Sequence, residues 1–357
     1  MVRSTPFPAA ALLVVLWLGV SCAPSASAPA AKSPAAAPPA AVGGTAAPAR
    51  EAAPPAALEP ITASQVSIAG NYLPYYVADK KGMFARHGLR LELIVMDTPA
   101  KVVQAVASGS ADIAWSAPDA VILAIEQGAP LVMVAAGQNA IPYSLMVQPT
   151  IRSFADLKGK SLAVSSLNSG PAVLSRKILG ANGIAADEFD LVPVGGTAER
   201  FAAIRSGAVT GGLLLQPEDL RLMAEGFPRL ALTTDYIPRY QWLTIPAVRN
   251  WARDNEDKLV RGLRALNDAY RWMYDPNNRE EAIALMVEMT KAPVEQATAT
   301  YELYVDSLHI WPADGRFDDA AMQSVVELMG ELNQLPTPLP APAKYIDTSY
   351  IEKANRP

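Results

Sequence analysis

The side chains that most often carry nucleophilic or metal chemistry are scarce in this chain. Its 357 residues include one cysteine, Cys22, and two histidines, His87 and His309. A single thiol makes disulfides, Cys/His zinc sites and cysteine catalysis remote, and no triad or metal cluster forms around the histidines. His87 stands at a glycine-flanked helix end, where a surface or capping role is favoured over catalysis. We therefore expect no enzyme, no metal and no cofactor.

Two other chemistries are disfavoured by spacing and charge. Gly159-Lys160-Ser161 resembles part of a phosphate-binding loop, but Phe154 occupies the place of the required first glycine, and a strand follows instead of a helix. The formal net charge is −5, and no segment concentrates Lys and Arg. Nucleic acid is therefore not an expected partner.

Binding of a small-molecule solute is the chemistry that other side chains support. Aromatic, amide and hydroxyl groups, together with glycines, stand where predicted strands end. Ligands of open α/β sheets sit beyond the carboxyl ends of strands. The candidate ligand contacts are Asn71, Tyr72, Asp97, Trp115, Ser116, Asn168, Ser169, Gly170, Gly196, Thr197 and Gln216.

Several candidates have a structural alternative. Residues 168–170 either cap the following helix or turn N–H groups and hydroxyls toward an anionic ligand, and residues 195–197 pose the same choice. Tyr72 and Trp115 could sandwich a flat ligand, whereas core packing is the alternative for Trp115. Asp97 either receives an amine or caps a helix.

Strands and helices alternate along two stretches of the chain, which predicts an α/β fold with largely parallel sheets. In the first stretch we predict strands at 65–69, 89–95, 112–115 and 131–135 and helices at 73–87, 101–108 and 117–127. In the second stretch we predict strands at 161–164, 189–194 and 209–215 and helices at 169–182 and 197–206. From residue 254 to about 335 the pattern is helical.

One short pattern occurs once in each stretch. A helix ending in Ser-Gly is followed by a strand and a polar loop that contains proline, first at 105–119 and again at 203–219. The distance from the glycine to the proline differs by one residue. Two similar lobes facing each other would place both proline loops at one cleft, and chance similarity between αβ units is the alternative.

The N-terminus is typical of an exported lipoprotein. Arg3 precedes an apolar run, residues 9–20, that is short for a transmembrane helix. The run leads into Leu-Gly-Val-Ser-Cys, which resembles a lipoprotein processing box with Cys22 as the lipid acceptor. Gly19 departs from this pattern, which usually has a branched apolar residue there. We predict a signal peptide over residues 1–21 and attachment to the membrane through a lipid on Cys22.

The segment after Cys22 is predicted to be a tether. Residues 22–60 consist mostly of Ala, Pro, Ser and Gly and lack the apolar side chains that would offset the entropy of ordering. Ordinary signal cleavage after Ala28 is the alternative to lipidation, but Pro29 directly after that bond would hinder it. A disordered spacer suits a domain held away from a membrane surface.

Three motifs carry a resemblance to a known family. They are residues 68–93 with their spaced Gly, Pro and aromatic positions, Ala-Ser-Gly-Ser-Ala-Asp-Ile-Ala at 107–114, and Phe-Ala-Asp-Leu-Lys-Gly-Lys-Ser-Leu-Ala-Val at 154–164. In this order and spacing they resemble substrate-binding proteins of ABC importers of the nitrate/sulfonate/taurine and thiamine-pyrimidine type. The resemblance covers residues 66–335.

The resemblance implies a two-lobed clamp of the periplasmic binding type (type II), with two crossover strands that let the lobes close on a ligand. The crossovers are expected near 141–147 and 237–243, and one of Tyr240 and Trp242 on the return strand should face the cleft. Lobe 1 would comprise 61–143 plus 241–357, and lobe 2 would comprise 144–240. The implied partners are an ABC permease and its ATPase, and the implied state is a monomer outside the cytoplasm.

The identity of the solute stays open. No Arg or Lys stands within 165–170 or 195–197, which slightly favours a neutral or weakly charged heteroaromatic solute over an oxyanion, although backbone N–H groups alone can bind an oxyanion. A ligand sensor for a membrane receptor would share the same clamp. An enzyme of pyrimidine biosynthesis is disfavoured because the cysteine-rich segment of those relatives is absent, and a signal peptide replaces the helices of a DNA-binding regulator.

Overall fold

The computed structural model describes residues 57–356; the predicted signal peptide, Cys22 and residues 22–56 of the predicted tether lie outside the described residues. Ten strands occur in the described part. They are β1 (Glu59–Gln65), β2 (Leu89–Val95), β3 (Ile113–Ala114), β4 (Leu131–Gln138), β5 (Ser144–Val147), β6 (Ser161–Val164), β7 (Asp190–Pro193), β8 (Gly211–Leu214), β9 (Arg229–Leu232) and β10 (Leu243–Val248).

These strands form three sheets. The first has the order β2-β1-β3 with parallel pairing, and β4 forms an antiparallel pair with β10. The third has five strands in the order β7-β6-β8-β5-β9, in which β6 pairs in parallel with β7 and β8 whereas β5 runs antiparallel to β8 and β9. The parallel sheets predicted from the sequence are therefore joined by antiparallel strands.

Thirteen α-helices connect and cover the sheets within residues 57–356. They are α1 (Leu73–Lys80), α2 (Met83–Arg86), α3 (Pro99–Ala107), α4 (Pro118–Glu126), α5 (Gly170–Ala181), α6 (Thr197–Arg205), α7 (Glu218–Ala224), α8 (Arg249–Asp254), α9 (Glu256–Tyr274), α10 (Arg279–Thr290), α11 (Val294–Tyr301), α12 (Asp319–Glu331) and α13 (Ser349–Ala354). In this range, no helix combines the length and the apolar character needed to cross a membrane.

We use lobe 2 for the part built on the five-stranded sheet, β5 to β9, and lobe 1 for the part built on the other two sheets. The chain passes from lobe 1 to lobe 2 through residues 139–143 and returns through residues 233–242. These two passages lie close to the crossovers that the resemblance implied. Because each sheet's parallel strands end toward the passages, the loops that follow β1, β3, β6 and β8 approach one another.

The core of lobe 1 is rich in aromatic side chains. Trp115 is fully buried, and the centroid of its ring system lies 4.7 Å from that of Tyr75, 5.8 Å from that of Tyr72 and 6.4 Å from that of Tyr270. Gly137 on β4 makes room for this ring, because a Cβ there would lie 1.6 Å from Trp115 Nε1. Tyr72 therefore packs against the Trp115 ring in the core and also lines the space between the lobes.

Two predicted elements differ from the structure at the start of the fold. The first strand is Glu59–Gln65 rather than 65–69, so Glu59 and Pro60 belong to the fold and not to the tether. Its pairing with β2 runs from Glu59 opposite Leu89 to Gln65 opposite Val95, which leaves residues 66–69 beyond the sheet. The single predicted helix at 73–87 is two helices, because Gly82 adopts the left-handed conformation with φ 63° between them.

Candidate functional site

An inner cavity of about 40 Å³ lies between the lobes, at the ends of the strands. Both lobes and both passages contribute to its wall. The residues that matter for its chemistry are Asn71, Tyr72, Tyr143, Thr197, Arg200 and Trp242.

Asn71 contributes an amide to the wall from the lobe 1 side. It lies in the turn Gly70–Tyr72 that precedes α1, and 1% of its surface is exposed. Its backbone carbonyl accepts hydrogen bonds from Gln138 Nε2 at 3.1 Å and Trp311 Nε1 at 3.2 Å, which holds the turn in place. Neither the Oδ1 nor the Nδ2 atom of Asn71 has a hydrogen-bond partner among residues 57–356. A buried amide in this state is suited to a polar ligand.

Trp242 lines the cavity from the return passage, so it is Trp242 rather than Tyr240 that faces this space. A Cβ at Gly170 would lie 2.9 Å from two atoms of the Trp242 ring, so glycine is needed there for the ring to approach α5. The ring also makes an edge-on contact with Tyr143 at a centroid distance of 5.1 Å. Its Nε1 donor is buried without an acceptor in the described part of the chain.

Arg200 brings a buried positive charge to the cavity from lobe 2. One per cent of the residue is exposed, and the guanidinium donates to Leu213 O at 2.9 Å, Ser165 Oγ at 2.6 Å, Gly195 O at 2.7 Å and Thr197 Oγ1 at 3.2 Å. All four acceptors are uncharged, and no carboxylate of residues 57–356 lies within 4.0 Å of the guanidinium. Burial lowers the pKa of Arg200, an effect that interaction with Tyr143 partly offsets.

Arg200 is the charged residue of the cavity wall that the sequence analysis missed. The search for a cation was confined to the loops at 165–170 and 195–197, whereas Arg200 lies in the first turn of α6. The signal was present in the spacing, because a residue three positions after Thr197 lies on the same helical face as Thr197. The slight preference for a neutral solute depended on the absence of a cation, and Arg200 removes that reason.

A second, outer cavity of about 370 Å³ adjoins the first and opens to the surface. The two cavities share Val66, Ser67, Gly196 and Thr197. Apolar side chains of lobe 1 form one side of the outer cavity, and the carboxylates Asp97, Glu199 and Glu218 also line it. Burial raises the pKa of Glu218 to about 7, and Glu218 Oε2 has no hydrogen-bond partner within the described residues.

Six of the eleven predicted contacts lie at these cavities. Asn71, Tyr72, Gly170, Gly196 and Thr197 line the inner cavity, and the last two also line the outer cavity. Asp97 lines the outer cavity, where its carboxylate pairs with Lys101 Nζ at 2.7 Å. The helix cap there is Thr98, whose hydroxyl accepts from Lys101 N, so Asp97 does not cap α3.

The structure does not bring the other five candidates to either cavity. Trp115 packs in the lobe 1 core behind Tyr72, so the two rings do not form a sandwich. Asn168 is exposed, and Ser169 Oγ bonds to the backbone of Ser166 in a local turn. Ser116 is buried beside β10, and Gln216 Nε2 donates to Asp219 and Ser144 inside lobe 2. All five were chosen because they follow the end of a strand. That position does not determine the direction of the side chain, and these five side chains lie away from the cavities.

Two lobes joined by two passages, with a cavity between them, define the class of the periplasmic binding proteins. The alkanesulfonate-binding protein SsuA from Xanthomonas axonopodis pv. citri bound to MOPS shares this fold, with 17% identity, a TM-score of 0.68 and coverage of 82% of this chain and 99% of that chain. The nitrate-binding protein NrtA from Synechocystis PCC 6803 also shares it, with 15% identity, a TM-score of 0.71 and coverage of 83% and 88%.

Sequence comparison identifies the family. The family model described as NMT1/THI5 like matches residues 69–279, and the chain belongs to this family. The formylaminopyrimidine-binding protein of Halalkalibacterium halodurans is 27% identical over 218 residues, which is 59% of this chain and 64% of that protein. The resemblance to ABC-importer binding proteins is thereby confirmed, and the chain is a solute-binding protein of the ABC import type.

Proposed function

We propose that this protein captures a small organic solute or oxyanion in the inner cavity between its lobes and delivers it to an ABC permease that is driven by an ATPase. One observation carries the proposal: residues of both lobes that line this cavity bear buried polar groups, and some of these groups have no hydrogen-bond partner within residues 57–356. Asn71 and Trp242 provide such groups from lobe 1 and the return passage, and Arg200 provides a buried charge from lobe 2. A ligand would complete these interactions on closure.

Contacts between the lobes support closure as the way in which the ligand is held. Gly70 N donates to Gln216 O at 3.3 Å, which joins the turn before α1 to the loop after β8. Lys177 on α5 pairs with Glu331 on α12 at 3.4 Å. We propose lobe boundaries of 61–143 plus 241–357 and 144–240, with the two passages serving as hinges.

The remaining proposals concern where the protein works. We propose that residues 1–21 are removed as a signal peptide, that Cys22 carries the lipid, and that the Ala/Pro-rich segment holds the binding domain away from the membrane, outside the cytoplasm. In this setting a monomer suffices, because the cavity is built from one chain. We propose no catalytic role for any residue.

A thermal-unfolding screen of the purified full-length chain tests ligand capture. The panel contains alkanesulfonates, taurine, nitrate, pyrimidines, riboflavin and aromatic carboxylates. A ligand present at about one hundred times its dissociation constant should stabilise the fold by about 2.7 kcal/mol. The shift should be lost in Asn71→Ala and retained in Asn182→Ala, a matched amide at the exposed end of α5. A ligand whose binding survives Asn71→Ala unchanged would contradict the proposed site.

Uptake measurements distinguish import from sensing. Deleting the gene should abolish accumulation of the labelled ligand by the cells, and a gene copy with Cys22→Ala should restore it poorly if the lipid anchor is needed. Normal uptake in the deletion strain, together with binding by the purified protein, would favour a ligand sensor for a membrane receptor.

A further inference from the structure

A contact between the lobes lies beside the outer cavity, where the loop after β8 meets the turn before α1. Gly70 N of lobe 1 donates to Gln216 O of lobe 2 at 3.3 Å. A Cβ at Gly70 would lie 3.0 Å from Thr300 Cγ2 and 3.4 Å from both Gln216 O and Tyr304 Cε2. We call Gly70, Thr300, Tyr304 and residues 216–219 the lobe junction. Because Gly70 is enclosed between groups of both lobes, this contact breaks when the lobes part.

Two neighbouring carboxyl groups of the lobe junction differ in their partners. Asp219 accepts from Ser144 Oγ at 2.6 Å and from Gln216 Nε2 at 2.8 Å, and it pairs with Arg229 Nη2 at 3.1 Å. All three partners belong to lobe 2, so they remain when the lobes part. Glu218 Oε2 is also buried, but it has no hydrogen-bond partner within residues 57–356. A buried carboxylate that lacks donors is costly, which favours the neutral acid of Glu218.

The groups around Glu218 do not fully compensate a negative charge there. They are Asp219 and Arg221 on α7, Glu199 and Arg200 on α6, and Asp97 and Tyr304 of lobe 1. Burial has the largest effect on Glu218 and raises its pKa to about 7, and the charge of Asp219 acts in the same direction. The backbone N–H of Glu218 and the two arginines lower the pKa, but by less than burial raises it.

Lobe 1 contributes to the burial of Glu218. Glu218 shares the wall of the outer cavity with residues 66–69 and 95–97 of lobe 1. Tyr304 of lobe 1 is fully buried. Burial raises the pKa of Tyr304 well above its ordinary value, and the charges of Asp219 and Glu218 raise it further, so this ring lies close to both carboxyl groups. Parting of the lobes would let water reach Glu218. The surroundings of the Glu218 carboxyl group therefore change between the closed and the parted arrangement, whereas the partners of Asp219 stay with it.

We infer that Glu218 links lobe closure to the uptake of a proton, so that the closed arrangement contains the neutral acid and loss of the proton favours parting of the lobes. This inference rests on the proposed function, because it regulates the closure by which the solute is held. The Glu218 carboxyl group has its ordinary pKa of 4.5 in water and a pKa of about 7 in the closed arrangement. The closed arrangement is therefore favoured most below pH 4.5, and this advantage is lost as the pH rises through about 7.

Single-molecule energy transfer between two dyes measures closure without any solute. Gln104 on α3 of lobe 1 and Ala202 on α6 of lobe 2 are exposed. Gln104→Cys and Ala202→Cys therefore place one dye on each lobe of the full-length chain, and Cys22→Ser removes the only other thiol. Dwell times in the closed and open forms give the ratio of the two, even when one form is rare. Between about pH 5 and about pH 8 the ratio of closed to open molecules should fall by about tenfold or more.

Three variants of this labelled chain assign the effect to one residue. Glu218→Gln should reduce the change in the ratio to less than about threefold, because an amide does not titrate. Glu199→Gln should keep the full change, because Glu199 lines the same cavity but is exposed. Asp119→Asn should keep it too. Burial also raises the pKa of Asp119, to about 6, but Asp119 belongs to α4 of lobe 1 and not to the lobe junction.

The results separate this inference from solute capture. A ratio that does not respond to pH in the chain with Glu218 intact would overturn the inference, as would a full pH effect in Glu218→Gln or its loss in Asp119→Asn. Each of these results leaves solute capture intact, because no solute enters the measurement. A pH effect that is confined to chains with Glu218, together with no ligand from the thermal-unfolding panel, would support proton-linked closure and contradict solute capture.

Discussion

The same backbone unit occurs in both lobes, but the side chains that it buries differ between them. The first repeat (residues 98–118) and the second repeat (residues 196–217) each contain a helix, a Ser-Gly turn, a short strand and a proline. In both turns the serine hydroxyl donates to the carbonyl three residues earlier at 3.2 Å, and the glycines have φ of 77° and 78°. The matched positions are Thr98 and Gly196, Val102 and Arg200, Ser108 and Ser206, Gly109 and Gly207, and Pro118 and Pro217.

The difference lies in what each repeat buries. Val102 is fully buried in the apolar core of lobe 1, whereas Arg200 at the matched position is buried among polar oxygens beside the cavity. At the helix start, the Thr98 side chain caps α3, while Gly196 leaves the first N–H groups of α6 beside both cavities. The same framework therefore buries an apolar side chain in lobe 1 and places a charged one at the wall of a cavity in lobe 2.

Exchanging the side chains at the matched position should produce the largest effect. Val102→Arg places a charge in the lobe 1 core without the acceptors that surround Arg200, so we expect the free energy of unfolding to fall by about 4 kcal/mol or more. Val102→Met, which adds length without charge, should cost about 1–2 kcal/mol. Urea unfolding measures both, and equal losses in the two variants would show that size rather than charge governs this position.

Substitution of the two glycines that lie against tryptophan rings should give the next largest effects on stability. Gly137→Ala drives a Cβ into Trp115 in the core, and we expect a loss of about 3 kcal/mol of stability. Gly170→Ala meets the Trp242 ring at 2.9 Å beside the cavity, so a smaller loss of about 1 kcal/mol should accompany a clear change in ligand affinity. Denaturation and calorimetry separate the two outcomes. A larger stability loss in Gly170→Ala would contradict the assignment of Trp115 to the rigid core.

The two tryptophans also show which part of the site could be predicted from sequence. Alternation and turn residues predicted most helices and strands of residues 89–215 to within two residues, because those patterns are local. The direction of a ring is not local: Trp115 turns inward because Gly137, distant in sequence, leaves room for it. The strand at 59–65 was predicted too late because the apolar residues of 66–69 resemble a strand, and only the register with β2 shows that they lie beyond the sheet.

The burial of Arg200 likewise depends on residues that are distant in the sequence. An arginine in an exposed-looking helix is usually solvated. The spacing from Thr197 places Arg200 on the same helical face as Thr197, but it does not show that the guanidinium is buried. The four acceptors come from positions 165, 195, 197 and 213, so their convergence depends on how β6, β8 and α6 pack together. The repeat offered one indication, because Val102, at the position matched to Arg200, is a buried core residue. The difference between valine and arginine hides this match when only the sequence is read.

The carboxyl groups after the two matched prolines should give a pH effect of intermediate size. Burial raises the pKa of Glu218 from 4.5 to about 7, so its contribution to stability is fully present below 4.5 and is lost as the pH rises through about 7. Glu218→Gln removes this loss. The free energy of unfolding of the variant minus that of the unaltered protein should therefore be about 2 kcal/mol larger at about pH 8 than at about pH 5. Urea unfolding at both pH values measures it.

Asp119, which follows Pro118 in the first repeat, is the control for that experiment. Burial raises its pKa from 3.8 to about 6, so the stability it contributes is lost at lower pH than in the case of Glu218. Asp119→Asn should therefore differ from the unaltered protein by an amount that stops growing above about pH 7. If both variants show the same pH window, the two carboxyl groups do not experience the different surroundings that the repeats give them.

The smallest effects should come from the start of α3, where two neighbouring residues contribute unequally. Thr98 accepts from Lys101 N and caps the helix, so Thr98→Ala should lower the free energy of unfolding by about 1 kcal/mol. Asp97 meets only the exposed Lys101 at 2.7 Å, and Asp97→Asn should not measurably change the unfolding midpoint. An unfolding midpoint lowered by Asp97→Asn as much as by Thr98→Ala would instead show that the Asp97 carboxylate supports the start of α3 as strongly as the Thr98 cap does.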